Sequence, residues 1–169
     1  MEVYQAVHTV LAVREFKSKS VPDSAIRRIV ESARLTASSM NGQPWHFVVV
    51  QNRDTLFELG SLVSSGSYNA QAAFAIAVAI NKSSPFGISD ASRAIQSMVL
   101  TAWSEGVGSN WTGWVGMTEV AALLGIPESH DVIAVLPFGY PAQVRTRGKK
   151  RRKSLSEVAH SERFGKLFT

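Results

Sequence analysis

Ser38-Ser39-Met40-Asn41-Gly42-Gln43-Pro44-Trp45-His46-Phe47-Val48-Val49-Val50, residues 38–50, is the stretch whose reading decides the fold. Ser38 to Pro44 are mostly short polar side chains with one glycine and one proline, which is loop chemistry. The chain then enters a β-branched run. His46–Gln51 has strand length, and Phe47-Val48-Val49-Val50 lacks the alternation of a strand with one wet face, so it reads as buried on both faces.

Two more strands read the same way. Phe74–Ile80 lies in the longest unbroken apolar run, and Asp131–Phe138 is the third. Between them lie helical patterns. Val3, Val7, Val10 and Leu11 recur at helical spacing. Val21-Pro22-Asp23 opens a helix with Ile26, Ile29, Val30 and Ala33 on its apolar face. Asp54–Val63 is a short helix. Asp90 starts the longest one, with Ala94, Ile95, Met98, Val99, Ala102 and Trp103 inward, stopped by Gly106 and Gly108. Asn110–Gly116 is a Trp/Gly-rich loop, and Thr118–Leu124 is a short helix with Thr118 as its expected N-cap. The tail from Leu155 has mixed character. No repeat or linker divides residues 1–169, so one α+β domain is expected. Three strands are few for this many helices, which predicts an open sheet edge covered from elsewhere, such as by the tail of a partner chain.

Composition excludes several classes. At 45% hydrophobic and 18% charged, the 169 residues can build a core and are not a disordered chain. No cysteine is present, so disulfides, thiolate nucleophiles and Cys-ligated metals are excluded. The longest apolar run, Ala72–Ile80, is too short to span a bilayer. The first residues show neither a basic stretch nor a small-residue cleavage site, so a soluble cytoplasmic protein without membrane contact is expected. His8, His46, His130 and His160 form no metal-ligand spacing, and no metal is expected. G-x-S-x-G elbow, P-loop and dinucleotide fingerprint are all absent. With so little acid–base or nucleophilic equipment, an enzyme of this sequence needs a cofactor to carry its chemistry.

The net charge of +5 is local. Residues 145–153, RTRGKKRRK, hold seven Lys/Arg and no acid, which leaves −2 for the rest. Such a run is either a solvated or nucleic-acid-binding arm or a site for a phosphate. It lacks interleaved aromatics, and no basic helix-turn-helix accompanies it, so no nucleic-acid partner is expected.

The 38–50 stretch resembles the nitroreductase family of flavin enzymes, whose mark is a P-S-x-x-N-x-Q-P-W-x-F segment leading from helix into strand. Further pieces follow in the family's order. Val13-Arg14-Glu15-Phe16 is similar to the end of its R-R-S-x-R-x-F segment. Asp90, Gln96 and Gly106-Val107-Gly108-Ser109 look like its central helix and exit loop. Leu124-Gly125-Ile126-Pro127-Glu128, Phe138-Gly139-Tyr140-Pro141 and Lys150–Val158 look like its late loop, strand end and terminal basic segment. The resemblance implies an α+β sandwich with an antiparallel-dominated central sheet flanked by helices. It further implies a homodimer that exchanges C-terminal segments and binds one FMN per subunit at its interface. The implied activity is ping-pong transfer from NADH or NADPH through flavin N5 to a small nitroaromatic, quinone or similar electron-poor substrate.

Carried onto this sequence, the resemblance places Arg14, Lys150 and Arg152 on the FMN phosphate. Ser38, Ser39, Asn41 and Gln43 fall on the polar ring edge and ribityl chain. Trp111, Thr112 and Gly113 face the ring, with a backbone N–H of Thr112 or Gly113 on N5. No side chain is expected to be catalytic itself. Val10-Leu11-Ala12 replace the family's R-R-S, and Ser38 replaces its Pro. These departures bear on flavin affinity. They leave open a specialised relative, such as a reductive dehalogenase or flavin-fragmenting enzyme, or a non-catalytic flavin-binding protein.

Overall fold

The computed structural model describes residues 1–63, 66–114, 117–143 and 150–168. Residues 145–149 of the basic run, Ser64 and Ser65, and Val115-Gly116 of the Trp/Gly loop lie outside them. The elements are α1 (Val3–Thr9), α2 (Asp23–Arg34), β1 (Trp45–Val50), α3 (Arg53–Leu62), β2 (Phe74–Asn81), α4 (Gly87–Ser104), β3 (Gly108–Ser109), α5 (Thr118–Leu123), β4 (His130–Gly139) and α6 (Leu155–Val158).

The sheet is antiparallel with strand order β1-β2-β4-β3. Strand β2 is its axis, buried from Phe74 to Ile80. Successive side chains point to opposite faces, and the composition follows that period. Phe74, Ile76, Val78 and Ile80 pack with α2 and α4, while the small Ala75 and Ala77 pack with Leu56 and Leu59 of α3 and Val120 of α5. A bulge in β4 sharpens the division. Val78 pairs with Ala134 and Ala79 with Val132, so Ile133 is the extra residue, and both Ile133 and Ala134 join the α2/α4 core.

Local chemistry sets the helix ends. Asn52 caps α3, its side-chain oxygen accepting from the amides of Asp54 (2.9 Å) and Thr55 (3.1 Å). Gly106, at φ 76°, ends α4 as expected. Helix α4 begins at Gly87, one turn before the expected Asp90. Met117, not Thr118, occupies the N-cap of α5 and makes no side-chain cap bond.

The expected three strands become four, because Gly108 continues into β3 beside β4. Residues 108–112 keep one register along that edge: Gly108↔Gly139, Ser109↔Phe138 and, after a break at Asn110-Trp111, Thr112↔Val135. Thus the loop expected from Asn110 onward begins inside the sheet's edge track. Among the described residues, β1 has no partner on its outer side. Helix α1 buries only Ala6, and its expected apolar stripe faces outward, with Val3, Tyr4 and Val7 exposed. No helix among the described residues is long and apolar enough to cross a membrane.

Phe74 and Phe138 face each other across β2 and β4, stacked at 4.9 Å and fully buried. Phe138→Ala is expected to destabilise the fold by about 3–5 kcal/mol, and Phe138→Leu by much less. Urea unfolding of both variants checks this.

Candidate functional site

The loop before β1 is built on an unusual backbone. Met40 (φ 51°), Asn41 (φ 56°) and Gln43 (φ 45°) are all left-handed, and none is glycine. Each such residue costs roughly 1–2 kcal/mol; asparagine tolerates the conformation best. Local hydrogen bonds offset part of this. The Ser38 hydroxyl accepts from the Gln43 amide at 3.0 Å, and the Gln43 side-chain amide donates to the Asn41 carbonyl at 3.1 Å.

The main restraint comes from α4. Asp90, 1% exposed, accepts from the Ser39 amide on one carboxylate oxygen and from the Ser39 hydroxyl on the other, both at 3.0 Å. Arg93, one turn on, pairs with the same carboxylate and donates to the Ser39 hydroxyl at 3.4 Å. Burial alone pushes the Asp90 carboxyl up. The Ser39 hydroxyl, the Ser39 amide and the Arg93 guanidinium outweigh it and hold the group below its usual range. The Ser39 proton is therefore spent on Asp90. Met40, Asn41 and Gln43 stay exposed.

A second set of predicted residues gathers elsewhere. Gly108 and Gly139 pair across β3 and β4, and their missing side chains leave a trough. A Cβ on Gly108 would lie 2.4 Å from Val13 Cγ2, and one on Gly139 would lie 2.9 Å from Phe16 Cδ1. The chain on either side of Arg14 beds there. The Val13 amide donates to the Ser109 carbonyl (2.9 Å), the Lys17 amide to Tyr140 (2.8 Å) and the Ala142 amide to Glu15 (2.9 Å). Lys150 reaches α1, donating to the Val7 carbonyl at 2.7 Å. Burial pushes its ammonium below the usual lysine range, and the nearby Arg152 pushes the same way. Among the described residues, Arg14, Lys150 and Arg152 have no acidic partner.

The loop facing the expected ring is only partly as predicted. Thr112 is buried; its amide donates to the Val135 carbonyl at 3.0 Å and its hydroxyl to the same oxygen at 2.6 Å. Pairing with β4 has taken the Thr112 N–H, so the expectation that it serves flavin N5 is corrected. Gly113 sits at φ 77° against Met117, a position closed to any side chain. Trp111 and Trp114 are exposed, Trp114 by 81%.

Two residues enter that the sequence reading did not assign to the site. Asp90 reads in the sequence as a helix start and as part of the family's central helix, and nothing there announces its bond to Ser39. Asn69 is fully buried; its amide nitrogen donates to Gly66 (2.6 Å) and Thr112 Oγ1 (3.4 Å). Its carbonyl oxygen has no donor among the described residues.

The structure separates the predicted residues into two groups. The Asn81 amide donates to the Pro44 carbonyl, so loop 38–43 leads into the end of the sheet where Asn81 meets His130. Arg14 lies at the other end, where Phe74 meets Phe138 and Gly108 meets Gly139. The eight residues of β2 span about 26 Å, and the 18 of α4 about 27 Å.

A sheet clothed by helices on both faces, with a strained polar loop at one end and Arg14 at the other, defines an α+β protein. The sequence model of the Nitroreductase family matches residues 11–83 and 68–140. A Methanothermobacter thermautotrophicus protein bearing the name of an NADH dehydrogenase/NAD(P)H nitroreductase is 32% identical over 151 residues, covering 85% of this chain and 79% of the relative. A crystal structure from Bacteroides thetaiotaomicron with the same name superposes with a TM-score of 0.88 at 26% identity, covering 96% and 98% of the two chains. An FMN-dependent nitroreductase from Clostridium difficile shares the fold, with a TM-score of 0.83 at 23% identity over 94% and 98%. The chain belongs to the nitroreductase family. That membership agrees with the oxidoreductase class expected from the sequence.

Asp90 makes the anchored loop sensitive to acid. Its carboxyl is lowered on folding, so its contribution is complete above the ordinary aspartate range and is lost as pH falls through the lowered value. Asp90→Asn is expected to cost about 1–3 kcal/mol at neutral pH and to flatten this acid limb. Thermal melts of both proteins between neutral and strongly acidic pH check it.

Proposed function

We propose that the protein works as a homodimer, binding FMN between a loop of one protomer and cations of its partner, and passes reducing equivalents from NADH or NADPH to a small electron-poor aromatic or quinone. The observation that carries this reading is the separation of the two residue groups. No ligand of flavin size bridges both ends of a sheet about 26 Å long and packed on both faces. A second copy brings the ends together.

The donor set suits FMN. A phosphate dianion needs cations that no acid already neutralises, and Arg14, Lys150 and Arg152 are such cations among the described residues. Lys150 and Arg152 repel each other, and a bound dianion relieves that repulsion. Ser38, Asn41 and Gln43 offer short polar groups to the ribityl hydroxyls and ring edge, and Ser39 offers an acceptor. Gly113 permits close backbone approach to the ring. The buried Asn69 oxygen has no donor among the described residues. FMN held by these residues would supply the two-electron chemistry between the nicotinamide and the second substrate, for which we propose ping-pong order.

The exposed Trp111 and Trp114 favour a flat, electron-poor second substrate, which stacks on indole. The outward apolar residues of α1 and of the tail, among them Leu155, Val158, Leu167 and Phe168, favour a partner chain that covers them. We read the two packed faces as one domain and place the protein in the cytoplasm, where reduced nicotinamides are available.

Purified protein is expected to be yellow, to elute as a dimer and to release about one FMN per chain. A colourless monomer that FMN cannot colour overturns the reading. NADPH turnover with a nitro compound separates an enzyme from a flavin-binding protein without catalysis. Arg152→Ala is expected to weaken FMN about tenfold to a hundredfold, since a hydrogen bond to a charged group contributes about 1.5–3 kcal/mol. Riboflavin, which lacks the phosphate, should change little. With Lys150 held low, FMN affinity should fall with rising pH before the ordinary lysine range is reached, and Lys150→Arg should remove that fall. Flavin fluorescence titration of apo-protein reads all of these.

A further inference from the structure

We propose that Asp90 is a positioning residue for flavin binding: it holds loop 39–43, with its left-handed Met40, Asn41 and Gln43, in its ligand-facing shape and fixes the Ser39 hydroxyl as an acceptor. The inference rests on the flavin reading above and deepens it, because nothing in that reading requires a residue of α4.

The loop's own bonds close only on themselves. The Asn41 amide donates to the Ser38 carbonyl (3.1 Å), the Gly42 amide to the Ser39 carbonyl (3.0 Å) and the Gln43 amide to the Ser38 hydroxyl (3.0 Å). Such bonds shape a turn but do not place it on the body of the protein. Among the described residues, the hydrogen bonds that join residues 39–43 to another element run from Ser39 to Asp90 and from Arg93 to Ser39. The carboxylate takes the Ser39 amide and hydroxyl on separate oxygens, which fixes both the position and the rotation of that residue. Strained backbone persists where its surroundings over-determine it, and here the over-determination comes from one buried side chain.

The bond pattern also sets what Ser39 can recognise. A hydroxyl has one proton and two lone pairs. The proton goes to Asp90, and one lone pair takes Arg93. What Ser39 still offers is a single acceptor, so it selects a ligand hydroxyl or ring N–H and cannot donate to a ring carbonyl. Asn41 and Gln43, whose amides both donate and accept, are left to meet carbonyls. Arg93 locks the arrangement by holding the same carboxylate one helical turn away.

The test uses apo-dimer titrated with FMN and with riboflavin. Asp90→Asn presents an amide whose NH2 opposes the donors of Ser39, and it should weaken both flavins by the same factor, about tenfold. Ser39→Ala, a gentler change that leaves the carboxylate and the Ser39 amide in place, should weaken both by a smaller factor. Arg152→Ala serves as the contrast, since it should affect FMN alone. Met40→Gly in the Asp90→Asn background removes a left-handed cost at φ 51°, ψ 24° and should recover most of the lost riboflavin affinity without restoring thermal stability to the parent value. That rescue distinguishes positioning from general support of α4, which glycine at residue 40 cannot repair. Unchanged riboflavin affinity in Asp90→Asn overturns the proposal, as does a loss that Met40→Gly leaves untouched. Failure of the parent protein to bind either flavin overturns the flavin reading itself, a different result from binding that is indifferent to residue 90.

Discussion

Strand β2 has no face to give to water, and that constraint organises the molecule. Its large residues, Phe74, Ile76, Val78 and Ile80, need the thick α2/α4 layer. The alanines between them let α3 and α5 approach closely on the other side. Once both faces of the sheet are filled, nothing can bind across them. Ligand chemistry is confined to the ends of the strands and to the edge where residues 108–112 run beside β4. The polar loop sits at one end because β1 begins there. Arg14 sits at the other because the Gly108/Gly139 trough is there. A site that needs both is then divided by the length of the sheet, which is why the proposed function calls on a second copy.

The parts of this plan that the sequence states openly are those encoded by composition over several residues. Strands β1, β2 and β4 are β-branched or apolar runs with no alternation, and α2 and α4 carry clear apolar faces, so all five elements are legible. The expected burial of Phe47–Val50 on both faces is corrected: β1 is an edge strand, with Phe47 and Val48 half-buried and Val49 exposed. Strand β3 is not. Two residues carry no period, and glycine after a helix signals a stop before it signals an edge. The trough is hidden for a related reason: what matters about Gly108 and Gly139 is an absence shared across two strands, visible only once their register is known. The outward stripe of α1 shows the converse failure. Helical spacing reports an amphipathic face but not whether that face meets its own chain.

The site residues divide along the same line. Residue types suited to phosphate, ribityl and ring edge can be named from side-chain chemistry and from resemblance. What those groups are already bonded to cannot. Thr112 looked like a source of backbone N–H, and the register with Val135 consumes it. The resemblance places Ser39 on the ring edge and ribityl chain, and Asp90, distant by 51 residues in sequence, takes its proton. An acid in the first turn of a helix has an ordinary reading in the helix dipole, so Asp90 gives no local sign of its second task. A hydrogen bond made over that sequence distance belongs to the tertiary structure and leaves no pattern in the chain.

The replacement of R-R-S by Val10-Leu11-Ala12 is best understood through how the Arg14 segment is held. Its seat uses the backbone amides of Val13 and Lys17, the carbonyl of Glu15 and the apolar side chains of Val13 and Phe16. None of these contacts involves the side chains at 10–12 or that of Arg14. Bedding and ligand contact are thus separate tasks within one short stretch. Donors can be lost from residues 10–12 while the chain keeps its path and still delivers Arg14 to the same place. The fold therefore exerts little pressure on the charge of residue 14, whose side chain is exposed. Under the proposed function, Arg14, Lys150 and Arg152, all without acids among the described residues, have their role in holding an anion that arrives from outside the chain.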